Sequence, residues 1–338
     1  MLKIKLSYQR EVINLYRESH RFYHTHHHIF EMLNFYKSKR KTSNITQEEY
    51  EMLTCFAVFH DAVCIPGNKD NEEKSVELFN SYLIGKTPES DLIERLILRT
   101  KEHKWVEESE AFAYPNEAKL TNLAIESDLL IFKKGMKDLI QYEEQIFKEY
   151  QFVNIDEYID NRCLFLAEFA VNVLSNLDYT FYIHDVDSLI GYIKNKKYRI
   201  GIYPGSFNPF HVGHLNVVSK AEKLFDKVIL AQGINPDKSN LRVDLPKSLN
   251  NEKIYYNGFV SALFKPSKYN VQYFMIRGLR NEHDVAYEEN LREWVHELNA
   301  EIEFCYLFCD KEFEKVSSST LRGLSQTNKE FAERYIVK

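Results

Sequence analysis

Glycine and proline are scarce in this chain, 11 and 8 among 338 residues, which excludes a collagen-like or low-complexity protein. No apolar run approaches the roughly 18 uninterrupted residues that a bilayer-spanning helix needs. The N-terminus, MLKIKLSYQREV, lacks the apolar core of a signal peptide, so a cytoplasmic protein with no membrane partner is expected. Positive charge is in deficit: 44 Lys and Arg face 50 Asp and Glu, a net charge of -6. The whole molecule therefore repels polyanions, and nucleic acid is not an expected partner. The five cysteines, Cys55, Cys64, Cys163, Cys305 and Cys309, form no even, closely spaced framework and contain no CxxC, which reads as reduced thiols. What is present is ordinary for a folded protein, 44% hydrophobic and 28% charged residues. At roughly 100 to 200 residues per domain, the length fits two domains.

Glycine use changes along the chain. Gly67, Gly85 and Gly135 are the only glycines before residue 190, and the remaining eight follow it. Before the polar stretch at 194–197, apolar residues recur at helical spacing, as in Met52, Leu53, Phe56, Ala57 and Phe59, or Leu92, Ile93, Leu96 and Ile97. An all-α domain over 1–193 is expected. After it, β-rich runs at 198–203, 227–231, 271–276 and 303–308 alternate with helical patterns at about 214–225 and 285–299. That alternation predicts a Rossmann-like α/β domain over 198–338, built on a parallel sheet with crossover helices. Such sheets bind ligands beyond the C-terminal ends of their strands, so the loops after Tyr203, Ala231 and Ile276 should face one site.

The first of these loops reads GSFNPFHVGH, Gly205 to His214, and is neither a GxxxxGK[ST] phosphate loop nor a GxGxxG fingerprint. Gly205 would let backbone approach a ligand closely, Ser206 supplies a hydroxyl, and a helix starting near Gly213 would aim its positive end at the loop. His211 and His214 lie three apart, on one face of a first helical turn, where two imidazoles can donate to one phosphate chain. Arg277 and Arg280 flank Gly278 at a strand end and suit bidentate phosphate contacts, and Lys238 adds a mobile point charge. Ser317, Ser318 and Ser319 read as a hydroxyl-rich helix N-cap.

In their order, GSFNPFHVGH (with Phe207 inside it), IRGLR at 276–280 and VSSSTLR at 316–322 resemble the HxGH-type nucleotidyltransferases, and within them the phosphopantetheine adenylyltransferases. The resemblance implies a Rossmann-like fold, ATP with Mg²⁺, and attack by a substrate phosphate on the α-phosphorus of ATP with loss of pyrophosphate. It implies that Ser206 contacts the substrate phosphate and transition state, His214 the ATP phosphates, Lys238 a bridging position and Arg277 the β- and γ-phosphates. Glu288 and Ser317 to Ser319 match the family's adenosine- and phosphate-contacting positions. The segment 240–256 lacks the family's threonine-rich, Glu-Arg helix start, and 258–268 only loosely matches its pantetheine-binding stretch. The acceptor thus stands open between phosphopantetheine and another small phosphomonoester such as nicotinamide mononucleotide.

Histidines crowd the first half: His20, His24, His26, His27, His28, His60 and His103. His60 and Asp61 end the apolar run Met52 to Phe59, a costly place for an ionisable pair without a partner. A divalent cation would answer that cost, and mixed imidazole and carboxylate donors suit Mn, Fe, Co or Zn. His28 and Asp128 are further candidates. The segments YHTHHHI, FHDAV, NEEKS, TKEH and SDLL, in order over residues 23–130, resemble the HD superfamily of metal-dependent phosphohydrolases. The resemblance implies that His28, His60, Asp61 and Asp128 bind one metal, with His24 and His103 as outer or second-metal residues. Glu72 and Glu73 read equally as a helix start or as a catalytic carboxylate. The combined expectation is a bifunctional enzyme, a phosphohydrolase joined to an adenylyltransferase, acting on ATP and a small phosphomonoester, possible as a homo-oligomer. The alternative keeps the transferase and makes the first domain a non-catalytic binding or oligomerisation module.

Overall fold

The computed structural model describes residues 3–5, 8–42, 44–107, 113–177, 180–234, 244–280, 282–299 and 302–338. The chain divides into two compact units: Met1–Tyr150 with Asn161–Ile193, and Gln151–Asp160 with Lys194–Lys338. The helices up to the second unit's first strand are α1 (Tyr8–Leu15), α2 (His26–Thr42), α3 (Gln47–Phe59), α4 (Asn71–Tyr82), α5 (Pro88–Arg99), α6 (Glu117–Asp128), α7 (Met136–Glu149), α8 (Ile155–Asn172) and α9 (Thr180–Asn195).

Helix α3 is the core of the first unit. It starts at a reciprocal capping box between Thr46 and Glu49, and Met52, Leu53, Cys55, Phe56, Ala57, Val58 and Phe59 are all buried. A helix apolar on nearly every side belongs inside, and the fully buried Tyr16, Met32, Tyr36 and Phe79 surround it. Its last turn runs into His60, and α6 ends at Asp128. The first turn of α2 carries His28.

The second unit holds β1 (Tyr198–Gly205), α10 (Val212–Ala221), β2 (Lys227–Ile234), β3 (Glu252–Asn257), β4 (Val271–Leu279), α11 (Glu282–Leu298), β5 (Glu303–Phe308), α12 (Ser318–Thr327) and α13 (Lys329–Glu333). The five strands form one parallel sheet in the order β3-β2-β1-β4-β5, a Rossmann-like arrangement. Strands β1 and β2 are buried nearly end to end, as a sheet covered on both faces requires. Gly201 shows how tightly: a Cβ there would lie 2.4 Å from Ile276 Cδ1 and 2.8 Å from Phe225 Cδ2. Strand β3 has no counterpart in the sequence reading. It is a six-residue edge strand, half-exposed along most of its length, and its apolar stretch, Ile254 to Tyr256, is only three residues long. The chain leaves β1 towards β2 and β3, then returns to place β4 on the other side. That reversal opens a crevice beyond the C-terminal ends of β1 and β4.

Candidate functional site

The crevice is a cavity of about 370 Å³. Gly205, Ser206, Phe207, His211 and His214 enter it from the connection between β1 and α10, Arg277, Gly278 and Arg280 from the end of β4, and Ser317, Ser318 and Ser319 from the start of α12. Two of the glycines serve packing. A Cβ on Gly205 would lie 2.6 Å from the Phe207 ring, and one on Gly278 would lie 2.9 Å from the Tyr203 hydroxyl. The space over Gly205 thus belongs to a buried ring, not to a ligand as the sequence suggests. Phe207 itself holds a left-handed φ of 47°, a strained conformation of the kind retained where it turns a loop around a site.

His211 is the N-cap of α10 and His214 its third residue. Each Nδ1 accepts the other's backbone N–H, at 3.4 Å for His214 N to His211 and 3.3 Å for the reverse, and the rings stack with centroids 3.6 Å apart. With both Nδ1 atoms accepting, each neutral ring carries its hydrogen on Nε2 and offers it as a donor. Burial and then the nearby Arg280 push the His211 pKa down to about 4. Burial, His211 and Arg280 hold His214 well below the ordinary histidine range. Both imidazoles are neutral donors near pH 7.

The guanidinium of Arg277 is gripped side-on by Glu288, Nε to Oε2 at 2.5 Å and Nη2 to Oε1 at 2.6 Å, with Glu288 buried. Arg280 pairs in the same bidentate way with Asp284, at 3.0 and 2.9 Å. Ser317 caps α12 by accepting the Thr320 N–H at 3.1 Å. The Ser318 hydroxyl donates to the Pro209 carbonyl at 3.0 Å and Arg322 donates to that of Asn208, so the start of α12 is tied to the β1 loop. Among the described residues, the lining contains no carboxylate. Neutral N–H donors, three guanidinium groups and hydroxyls around one cavity make a receptor for a polyphosphate.

In the first unit, His28, His60, Asp61 and Asp128 converge, their candidate donor atoms all within 4.8 Å of one another. His60 Nε2 lies 3.3 Å from His28 Nε2, 3.1 Å from Asp61 Oδ2 and 3.5 Å from Asp128 Oδ1, and His28 Nε2 lies 2.9 Å from Asp128 Oδ1. The other nitrogen of His60, Nδ1, faces the Ala57 carbonyl at 3.0 Å, which fixes a hydrogen there and leaves Nε2 aimed into the cluster, to hold a proton or, in its place, a metal ion. Burial lowers the His60 pKa, but Asp61 and Asp128 outweigh it and raise it to about 10. A positive charge is wanted at this point. The donor set and its spacing fit a single divalent cation, whose ligands ~2.1 Å from it would stand ~3 to 4 Å apart. His103 Nε2 lies 2.9 Å from the second oxygen of Asp128, an outer position. His24 is bound elsewhere, to Glu149 at 2.6 Å. Glu72 and Glu73 occupy the first turn of α4, and Glu73 pairs with Lys101, so they read as a helix start.

Residues 202–254 match the cytidylyltransferase-like family. The phosphopantetheine adenylyltransferase of Lacticaseibacillus casei is 36% identical over 135 residues, 38% of this chain and 81% of the relative. That of Mycoplasma capricolum is 38% identical over 135 residues, 37% and 96% respectively, and that of Clostridium perfringens 33% over 153 residues, 41% and 92%. The chain belongs to the phosphopantetheine adenylyltransferase family. Its second unit is therefore an adenylyltransferase domain, and the polyphosphate cavity is that domain's crevice. Among the sequence-derived residues of this adenylyltransferase domain, all but two line the cavity. Glu288 stands behind Arg277, and Lys238 lies outside the described residues. Arg322 and Gln232 carry site functions that the sequence reading did not assign. Gln232, buried at the end of β2, donates to the Ser206 carbonyl at 3.1 Å and so fixes the loop. Its place in a strand end beside a phosphate loop was the available signal.

Proposed function

We propose that the chain is a bifunctional enzyme whose second unit transfers AMP from ATP to phosphopantetheine or a closely similar phosphomonoester. An oxygen of the acceptor phosphate attacks the α-phosphorus, the bond from that phosphorus to its bridging oxygen breaks, and pyrophosphate leaves with the electron pair. No covalent nucleophile is needed. The observation that carries this reading is the meeting of Ser206, His211, His214, Arg277, Arg280 and Ser317 to Ser319 around one cavity. His214 and His211 donate Nε2–H to the phosphates, Arg277 neutralises the departing β- and γ-phosphates, and Ser206 contacts the acceptor phosphate. The family resemblance gives Lys238 the position that bridges the phosphates. Preorganised donors of this kind act on charge that grows in the transition state. Mg²⁺ would be carried by the ATP phosphates, since the described residues of the cavity lining offer it no carboxylate.

Pyrophosphate release, followed with ATP and a panel of phosphomonoesters, tests the transfer. Phosphopantetheine is expected to be the best acceptor. Nicotinamide mononucleotide in its place would shift the assignment of the acceptor, and silence with every acceptor would remove it.

For the first unit the reading is a metal-dependent phosphohydrolase. His28, His60, Asp61 and Asp128 would hold one Mn, Fe, Co or Zn ion, which when bound makes water a stronger nucleophile towards a phosphoester. Asp128 also receives His103, which fixes its orientation. Elemental analysis is expected to find about one such ion per chain, lost in His60→Ala. A metal-free native protein would instead favour a binding module.

A further inference from the structure

A second, larger cavity, about 650 Å³, opens in the first unit beside the His and Asp cluster, and the two share His28. The charges around it are unequally committed. Arg21 is spent on Glu18 at 2.9 Å and on the carbonyls of Asp61 and Ala62, and Lys134 is spent on Glu31. Among the described residues that line it, Arg17, His26, His27 and one carboxylate, Asp138, enter no ion pair. His26 Nδ1 is buried with no hydrogen-bond partner. His26, His27 and His28 are consecutive in the first turn of α2, so the free donors stand within about one helical turn, ~5 Å, of a ligand of the cation site. The floor between is aromatic: Tyr23 packs on His28 with centroids 5.3 Å apart and on Tyr142 at 4.6 Å.

We infer that this cavity binds two adjacent phosphoryl groups, one at the His28, His60, Asp61 and Asp128 cluster and the next against Arg17, His26 and His27, so that the substrate class is a diphosphate ester or anhydride. The inference rests on the phosphohydrolase reading and narrows it. An isolated monophosphate at the cluster would leave Arg17 and the N–H groups of the two imidazoles unused, whereas a P–O–P unit spans a distance of this order. Hydrolysis is balanced with water alone. Water adds to one phosphorus, the P–O bond to the bridging oxygen breaks, and that oxygen departs with the second phosphoryl group, each fragment keeping its share of the water's protons.

Binding of inorganic pyrophosphate and of orthophosphate is measured by calorimetry on the full chain carrying Arg277→Ala, which blunts the transferase cavity, with and without Mn²⁺. Pyrophosphate is expected to bind at least tenfold more tightly than orthophosphate. Adding Arg17→Ala is expected to weaken pyrophosphate about tenfold and orthophosphate less than twofold, with Arg17→Lys recovering part of the loss. Equal effects on both anions, or no effect on either, would overturn the inference. A chain that takes up no Mn²⁺ would instead sink the metal centre alone, because the rim's preference for pyrophosphate is also read without the ion. Arg17 is exposed, so its replacement leaves the core intact; circular dichroism of the double variant checks this.

Discussion

The Glu288 carboxylate sets what Arg277 can do. A guanidinium held by two hydrogen bonds on one edge has its remaining N–H groups aimed, and less side-chain entropy is lost when phosphate arrives. Glu288→Gln keeps the shape but not the charge. Turnover in the transferase assay is expected to fall about tenfold or more with a smaller change in the KM for ATP, because the lost alignment matters most as leaving-group charge grows. Unchanged kcat in a folded variant would contradict this positioning role. The paired imidazoles make a second prediction. Their folded-state pKa values lie below the ordinary 6.5, so on acidification the unfolded chain takes up protons that the folded chain refuses. Their contribution to stability is complete above pH 6.5 and is lost as pH falls towards about 4. His211→Asn retains a good N-cap without titrating, so denaturant unfolding of that variant is expected to show a shallower loss of stability over this window. The sequence placed the two histidines on one helical face. It could not show that they cap one another, because that depends on the helix starting at Val212 and not a residue later.

At the scale of elements, β1 and β4 work only if they lie close. Gly201→Ala forces a methyl into the space of Ile276 and Phe225, and the overpacking is expected to cost about 1 to 3 kcal/mol in urea unfolding. A neutral result would mean that the strand pair has slack. Four of the five strands were legible as runs of β-branched and aromatic residues: β1 and β2 because they are buried nearly end to end, and the half-exposed edge strand β5 because Phe304 to Phe308 is an unbroken apolar run all the same. Edge strand β3 was not, because its apolar stretch is only Ile254 to Tyr256, between Lys253 and Asn257. In the first unit, the run from Met52 to Phe59 announced both a buried helix and the ionisable pair at its end. The contact of His28 and Asp128 with that pair is long-range, and only their resemblance to a known pattern connected them beforehand.

For the whole molecule, the second unit begins before its sequence boundary suggests. Residues Gln151–Asp160 belong to it, and the buried ammonium of Lys227 donates to the carbonyls of Gln151 and Val153, at 2.7 Å for the latter, beside Glu252 at 3.2 Å. A shift in glycine content near residue 190 cannot register ten residues docked from upstream. Glu252→Ala in the full chain is expected to lower stability by about 3 kcal/mol, since it leaves a buried ammonium with carbonyl partners alone; urea unfolding measures it. Unchanged stability would show that the carbonyls of Gln151 and Val153 suffice. The central claim is that donors from separate strand ends gather on a triphosphate and stabilise transfer of its adenylyl group. Mass spectrometry of the products formed from ATP and phosphopantetheine tests it most directly. The adenylylated acceptor is expected in step with pyrophosphate, one for one, and about a hundredfold more slowly with Arg277→Ala; ATP consumed without any adenylylated acceptor, or an Arg277→Ala enzyme as fast as the native one, would contradict it.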